Sequence, residues 1–276
     1  MSQIVTLKNT QHPELSDDEL YLYSRQILLD AWDLDAQQRL KNSHVLLIGA
    51  GGLGCLCAEI LARAGVGHIT ILDYDRIEIS NLQRQVAFSS QQVGRFKAEC
   101  LAERLSQINP HIQVQAYNHA FDISQGLASV EAYVQQCDLV LDGSDRFKTR
   151  YAVNQACKFY GVPLLSASAI ALQGQLLWVD SRDAQAACYA CLFPADDDWS
   201  DEEQGRCATS GVLASTPNVM ASLQAHHALL YLGLGEMPLK SKLLLWNGRD
   251  FTQRIVAFSQ DEHCAVCHAT QAKNQE

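Results

Sequence analysis

A loop rich in glycine follows a short apolar run near residue 48, and its composition is typical of a loop that binds phosphate. Residues 45–48 are Val-Leu-Leu-Ile, as expected of a buried parallel strand, and the next six are Gly-Ala-Gly-Gly-Leu-Gly. Glycine is needed where the backbone bends tightly and where main-chain amides approach a phosphate closely. A helix after the loop would direct its positive end at the anion. The pattern predicts a nucleotide site at Gly49, Gly51, Gly52 and Gly54.

The segment after the second apolar run carries polar groups suited to a triphosphate. Residues 69–72 are Ile-Thr-Ile-Leu, and Asp73 follows at the position where such folds place a carboxylate on the ribose hydroxyls. Asn81, Arg84 and Lys97 come next. A guanidinium binds two phosphate oxygens, an ammonium binds a third and an amide adds a hydrogen bond. Taken singly, each cation is typical of a solvated surface, but the set favours a triphosphate over a nicotinamide cofactor.

The type and order of these residues resemble those in sequences of the MoeB/ThiF/HesA family, whose members are bacterial relatives of the ubiquitin-activating enzymes. The resemblance runs from about Leu20 to Cys267 and rests on three motifs: the glycine loop, the run DYDRIEISNLQRQ at 73–85, and GRFK at 94–97. It implies an adenylyltransferase that uses ATP and Mg²⁺ to activate the C-terminal glycine of a ubiquitin-like sulfur carrier protein. It also adds Asp75 and Ser80 to the nucleotide-binding residues.

The carrier implied by the resemblance ends in Gly-Gly and is either MoaD-like, for molybdopterin biosynthesis, or ThiS-like, for thiamine biosynthesis. A dinucleotide-dependent oxidoreductase is the alternative, because such enzymes share the glycine loop. The two functions differ in a simple way. The first would exchange pyrophosphate into ATP only with a carrier present, and the second would bind NAD.

Two carboxylates near the end of the fourth apolar run are candidates for a magnesium ligand. Residues 139–142 are Leu-Val-Leu-Asp, and Gly-Ser-Asp-Arg follows at 143–146, at the edge of the sheet where such folds bind ligands. Adenylation places anionic charge on the α-phosphate, so the preferred catalytic residue is Asp145, as a ligand of Mg²⁺. Asp142 is the alternative ligand, or it caps the next helix. The family usually has Asn where this chain has Arg146.

Arg25 lies far upstream of the glycine loop, in Tyr-Ser-Arg-Gln at residues 23–26. An exposed position on a helix is the ordinary place for such a cation. In MoeB-like dimers, however, an arginine at the matching position reaches the γ-phosphate bound by the neighbouring subunit. The resemblance therefore implies that Arg25 is a catalytic residue of a homodimer.

The cysteines provide a second motif. Four of the 10 cysteines form two Cys-x-x-Cys pairs, and in a protein that looks cytosolic such pairs favour tetrahedral zinc over disulfides. A site with four thiolates has no open position, so Zn²⁺ would be structural and would tie the C-terminal segment back to the sheet. The predicted ligands are Cys188, Cys191, Cys264 and Cys267.

Cys207 differs from the remaining cysteines because it lies beside an arginine, in Gly-Arg-Cys-Ala-Thr at residues 205–209. The segment resembles the family's crossover loop, whose cysteine can link covalently to the carrier in thiamine-pathway members but need not react in MoeB-like ones. A catalytic role for Cys207 is the less favoured of these two readings. The acidic stretch at 196–203 before it is typical of a solvated loop.

Composition limits the other possibilities. The formal net charge of −10 argues against nucleic acid as a partner, since phosphate backbones are bound by clustered Lys and Arg. No apolar stretch is long enough to span a bilayer, and residues 1–13 lack the features of a signal peptide. We therefore expect a cytoplasmic protein without a membrane anchor.

The elements that position these residues alternate between strand and helix, which predicts an α/β fold with a Rossmann-like, doubly wound, mostly parallel sheet. Strands are predicted at 44–48, 68–72, 112–117, 138–142 and 162–166, and helices at 53–64, 95–107, 124–136 and 147–160. An antiparallel portion with the zinc knuckle should follow, with strands near 175–179 and 243–246. A capping box at 16–19 should open an N-terminal helix that carries Tyr23, Arg25, Ile27 and Leu28.

The whole chain, 1–276, is interpreted as one adenylation domain of the ThiF/MoeB type. Its parts are an N-terminal helical segment at 1–43, a nucleotide-binding core at 44–173 and a zinc-bearing, carrier-binding portion at 174–276.

Overall fold

The computed structural model describes residues 14–195 and 211–273, and its main feature is an eight-stranded mixed sheet. The strands are β1 His44–Ile48, β2 His68–Leu72, β3 Gln113–Tyr117, β4 Leu139–Asp142, β5 Leu164–Ile170, β6 Gln173–Val179, β7 Lys242–Asn247 and β8 Thr252–Ala257. Their order in the sheet is β3-β2-β1-β4-β5-β6-β7-β8. The first five strands are parallel, and each strand from β5 to β8 is antiparallel to its neighbour in that portion. The α/β prediction with a C-terminal antiparallel portion is therefore confirmed.

Helices precede, connect and follow these strands. The helices are α1 Asp17–Leu22, α2 Ser24–Ile27, α3 Leu34–Lys41, α4 Gly54–Ala64, α5 Lys97–Ile108, α6 Glu131–Val134, α7 Phe147–Tyr160, α8 Tyr189–Leu192, α9 Ser215–Leu229 and α10 Ala265–Lys273. Helix α9 continues into a π-helical turn at Leu230–Leu234.

The central strands are buried on both faces, which explains their continuous apolar runs. In β1, Val45 and Leu47 belong to a core that includes residues of α4, α5 and α9, whereas Leu46 and Ile48 belong to a second core with residues of α7. Strand β1 lies between β2 and β4, where the direction of the connections reverses. Open α/β sheets bind ligands at the carboxyl ends of the strands beside such a point.

Two helix predictions were wrong. The segment 124–136 contains only α6 and a preceding 3₁₀ turn, because Gly126 has a φ of +93° and local hydrogen bonds of Ser124 and Ser129 compete with a regular helix. The capping box at Ser16 is confirmed, but α1 ends at Leu22, since the Tyr23 side chain turns inward and its hydroxyl accepts a hydrogen bond from Asn109. In the part of the chain described, no helix has the length and apolar character needed to cross a membrane.

The glycine loop depends on close backbone packing. Gly49 has a φ of +91°, a conformation that other residues rarely adopt. A Cβ at Gly54 would lie 1.9 Å from the Gly49 carbonyl oxygen, whereas a Cβ at Gly51 would meet only the Gln85 side chain at 3.9 Å. The start of α4 can therefore approach the end of β1 only if residue 54 lacks a side chain.

We expect Gly54→Ala to destabilise the protein by roughly 1–3 kcal/mol, because the added methyl group clashes with backbone that has no room to move. Gly51→Ala, in the same loop, should change the free energy of unfolding by less than about 0.5 kcal/mol. Thermal and urea unfolding of the two variants beside the parent would measure both effects. Equal stability of the two variants would contradict this account of the loop.

Candidate functional site

A cleft of about 550 Å³ opens at the carboxyl ends of β1, β2 and β4. It brings together nearly every residue that the sequence assigned to the nucleotide. The exception is Gly54, which packs beneath the loop against Gly49. The predicted residues that line the cleft are Gly49, Gly51, Gly52, Asp73, Asp75, Ser80, Asn81, Arg84, Lys97 and Asp145.

Asp73 holds the glycine loop against the end of β2. Its Oδ2 accepts a hydrogen bond from the Ala50 amide at 2.6 Å, and its Oδ1 accepts one from the Asp75 amide at 2.7 Å. Burial raises the pKa of the Asp73 carboxyl, although these hydrogen bonds and the charge of Lys97 act in the opposite direction. The carboxylate thus braces the loop, in addition to the ribose contact predicted from the sequence.

The two predicted phosphate-binding cations are held in different ways. The Lys97 ammonium is nearly buried, with the residue 6% exposed, and lies 2.8 Å from Oδ2 of Asp75. The Arg84 guanidinium donates to the Ser80 carbonyl at 3.1 Å from its Nη1. Asn81 is buried, and its Oδ1 accepts a hydrogen bond from the Glu78 amide. These contacts place cations and amides along one wall of the cleft, where they can spread the charge of a polyphosphate.

The two candidate carboxylates after β4 have different environments. Asp142 is 1% exposed; its Oδ1 accepts from the amide and the hydroxyl of Ser144, and its Oδ2 accepts from the Ser166 hydroxyl at 2.7 Å. Arg150 lies 3.6 Å from the same Oδ2. Asp145, in contrast, is exposed and lines the cleft. Protein groups therefore occupy both oxygens of Asp142, whereas the carboxylate of Asp145 is available to a ligand.

Sequence reasoning missed Arg150, which is 7% exposed and still reaches the cleft wall. Its guanidinium donates to the Ser166 hydroxyl and to the carbonyls of Ser144 and Ala167, so it joins the ends of β4 and β5. The available signal was its spacing. An arginine one turn into the helix that follows a strand-end aspartate can point back toward that aspartate.

Arg25 is exposed on α2 and does not line the cleft of its own subunit. Large apolar side chains are exposed on the same N-terminal helices and the segments next to them: Tyr21, Leu22, Leu28, Leu29 and Leu34. An exposed apolar surface of this kind is typical of a protein interface.

The four paired cysteines come together as predicted, with their sulfur atoms within 4.8 Å of one another. The Cys188 sulfur lies 3.6 Å from that of Cys264 and 3.8 Å from that of Cys191, and the Cys191 and Cys267 sulfurs are 3.6 Å apart. A tetrahedral ion with zinc–sulfur bonds of about 2.3 Å requires sulfurs about 3.8 Å apart. The cluster therefore fits Zn²⁺, and its sulfurs are too far apart for disulfides.

Cys207 and the acidic stretch 196–203 lie outside the described residues. The covalent and the non-reactive interpretations of Cys207 therefore remain predictions from the sequence.

Comparison with known proteins identifies the kind of protein that has this site. A family model described as the ThiF family matches residues 23–266. Two relatives from Escherichia coli (strain K12) align over nearly their whole lengths. The molybdopterin-synthase adenylyltransferase is 37% identical over 254 residues, which cover 92% of this chain and 98% of the relative. The sulfur carrier protein ThiS adenylyltransferase is 39% identical over 258 residues, which cover 94% and 99%.

Two further similarities concern a longer relative and a solved structure. The adenylyltransferase and sulfurtransferase MOCS3 of Drosophila virilis is 36% identical over 261 residues, which span 94% of this chain but 56% of the relative. The crystal structure of E. coli MccB with ATP superposes with a TM-score of 0.77 at 25% identity, covering 92% of this chain and 75% of that one.

Proposed function

Because the chain belongs to the ThiF family, we propose that it is an adenylyltransferase that uses ATP to activate the C-terminal carboxylate of a ubiquitin-like sulfur carrier protein ending in Gly-Gly. The observation that carries the proposal is the convergence of the glycine loop, Arg84, Lys97 and Asp145 on one cleft. A hydride-transferring oxidoreductase has no support from the relatives, which are named adenylyltransferases.

In the proposed reaction, a carboxylate oxygen of the carrier attacks the α-phosphorus of ATP. A bond forms between that oxygen and phosphorus, and the bond from phosphorus to the bridging oxygen of the β-phosphate breaks. Pyrophosphate leaves with that electron pair, and the carrier keeps AMP as an acyl adenylate. The step needs no net proton transfer, so the side chains act by positioning the reactants and spreading negative charge.

We assign the phosphate contacts to the residues of the cleft wall. The amides of the glycine loop and the end of α4 face one part of the phosphate chain, while Arg84 and Lys97 neutralise another. Asp145 would hold Mg²⁺, since it is the exposed carboxylate at the end of β4, and the ion would neutralise phosphate oxygens.

A second groove of about 360 Å³ offers a path for the carrier's C-terminal tail. It is lined by residues of β5 to β8 and shares Ser168 and Ile170 with the nucleotide cleft. The two openings therefore adjoin over the antiparallel strands. We propose that an extended tail ending in Gly-Gly lies along this groove. Two residues without side chains fit a narrow opening, and the C-terminal carboxylate of the carrier would then lie near the α-phosphate.

The cysteine cluster and the N-terminal helices complete the proposal. Zn²⁺ held by the four thiolates would be structural, because such a site has no open position for substrate. The exposed apolar side chains around Arg25 would form the contact of a homodimer, and Arg25 would then reach the nucleotide of the partner subunit.

Asp145→Ala should reduce carrier-dependent exchange of labelled pyrophosphate into ATP by at least about a hundredfold, because the site loses its ligand for Mg²⁺. Binding of ATP, measured by titration calorimetry, should persist. Glu131→Gln, which removes an exposed carboxylate on α6 away from the cleft, serves as the control and should exchange normally. A MoaD-like and a ThiS-like carrier assayed separately would identify the preferred substrate. Undiminished exchange by Asp145→Ala would show that another carboxylate acts.

Arg25→Ala should also abolish exchange, and mixing it with Asp145→Ala should restore activity if the arginine acts across a dimer. In a mixed dimer, the subunit with intact Asp145 receives Arg25 from its partner. Random re-association of equal amounts should give about a quarter of the parent activity, because half the dimers are mixed and each has one complete site. Inactive mixed dimers, verified by tags on both subunits, would contradict the role of Arg25.

A further inference from the structure

Arg146 lines the nucleotide cleft, but the phosphate contacts proposed above do not include it. It follows Asp145 and immediately precedes α7. Its guanidinium carbon is 5.7 Å from the centre of the Tyr74 ring, within the range of a cation–π contact. Both side chains line the cleft.

The contact between Arg146 and Tyr74 joins two loops that follow the strands on either side of β1. Tyr74 follows β2 and Arg146 follows β4, whereas the glycine loop follows β1, which lies between those two strands. A contact between the loops of the flanking strands therefore passes over the end of the central strand. A nucleotide bound by the glycine loop would therefore lie in the same cleft that Arg146 and Tyr74 line.

Arg146 also differs from the other cations of the cleft. Lys97 is paired with Asp75, Arg150 is bound to main-chain and hydroxyl oxygens, and Arg76 donates to the Gly94 carbonyl. Within residues 14–195 and 211–273, the Arg146 guanidinium has no hydrogen-bond acceptor, and the residue lines the cleft. A guanidinium with open donors is suited to bidentate binding of phosphate.

We propose that Arg146 binds the phosphates of the bound nucleotide from across the cleft and that Tyr74 positions its guanidinium. This inference rests on the proposed function only in so far as the cleft binds a nucleoside phosphate. After pyrophosphate leaves, the α-phosphate of the acyl adenylate is the remaining anion, and Arg146 would retain it in the site.

The test compares nucleotide binding by Arg146→Gln, Tyr74→Phe and Tyr74→Leu, without any carrier. Calorimetry with ATP and with AMP, and the dissociation rate of a fluorescent ATP analogue, provide the readouts. Arg146→Gln should weaken both nucleotides about tenfold, mainly through faster dissociation. Tyr74→Phe keeps the ring face and should match the parent, whereas Tyr74→Leu should lose several-fold in affinity.

Lys148→Gln is the matched control, because it removes an exposed charge from the first turn of the same helix but does not line the cleft. Its nucleotide affinity should equal that of the parent. Unchanged binding by Arg146→Gln, or an equal loss in the control, would overturn the assignment. A parent protein that binds ATP but adenylates no carrier would refute the proposed function while leaving this test intact.

Discussion

The hydrogen bond from the Ala50 amide to the Asp73 carboxylate, at 2.6 Å, is the interaction on which the nucleotide cleft depends. It joins the loop after β1 to the end of β2, while the same carboxylate accepts the Asp75 amide. Asp75 in turn pairs with Lys97, which places the ammonium in the cleft wall. One buried carboxylate thus links the main chain of the phosphate loop to a side chain that would neutralise the phosphate.

A second buried carboxylate, that of Asp142, plays a similar role at the ends of β4 and β5. Its carboxylate is occupied by Ser144, Ser166 and Arg150, which tie the ends of β4 and β5 together. This arrangement leaves Asp145 exposed three residues later. A site that handles a polyanion needs both kinds of carboxylate: buried ones that position the backbone, and an exposed one that can hold a cation.

The antiparallel strands and the cysteine cluster extend this framework away from the nucleotide. The groove over β5 to β8 adjoins the cleft and shares Ser168 and Ile170 with it. The cluster joins the segment after β6 to the segment after β8. Helix α7 contacts it through Asn154, whose side-chain amide donates to the Cys188 sulfur. Since α7 begins beside Asp145, one helix connects the nucleotide end of the molecule to the cysteine cluster at its other end.

The sequence by itself determined the parallel strands, the glycine loop and the cysteine pairs, because continuous apolar runs, small residues and fixed short spacings are local properties. It also identified the cleft residues, through a resemblance that the family match supports. Only the tertiary structure decided that Asp142 is enclosed and Asp145 exposed, since Arg150 and Ser166, two of the partners of Asp142, lie 8 and 24 positions away along the chain. It likewise showed a 3₁₀ turn and the short helix α6 where the sequence predicts one helix at 124–136. Those outcomes depend on which distant segments meet, and no local pattern contains that information.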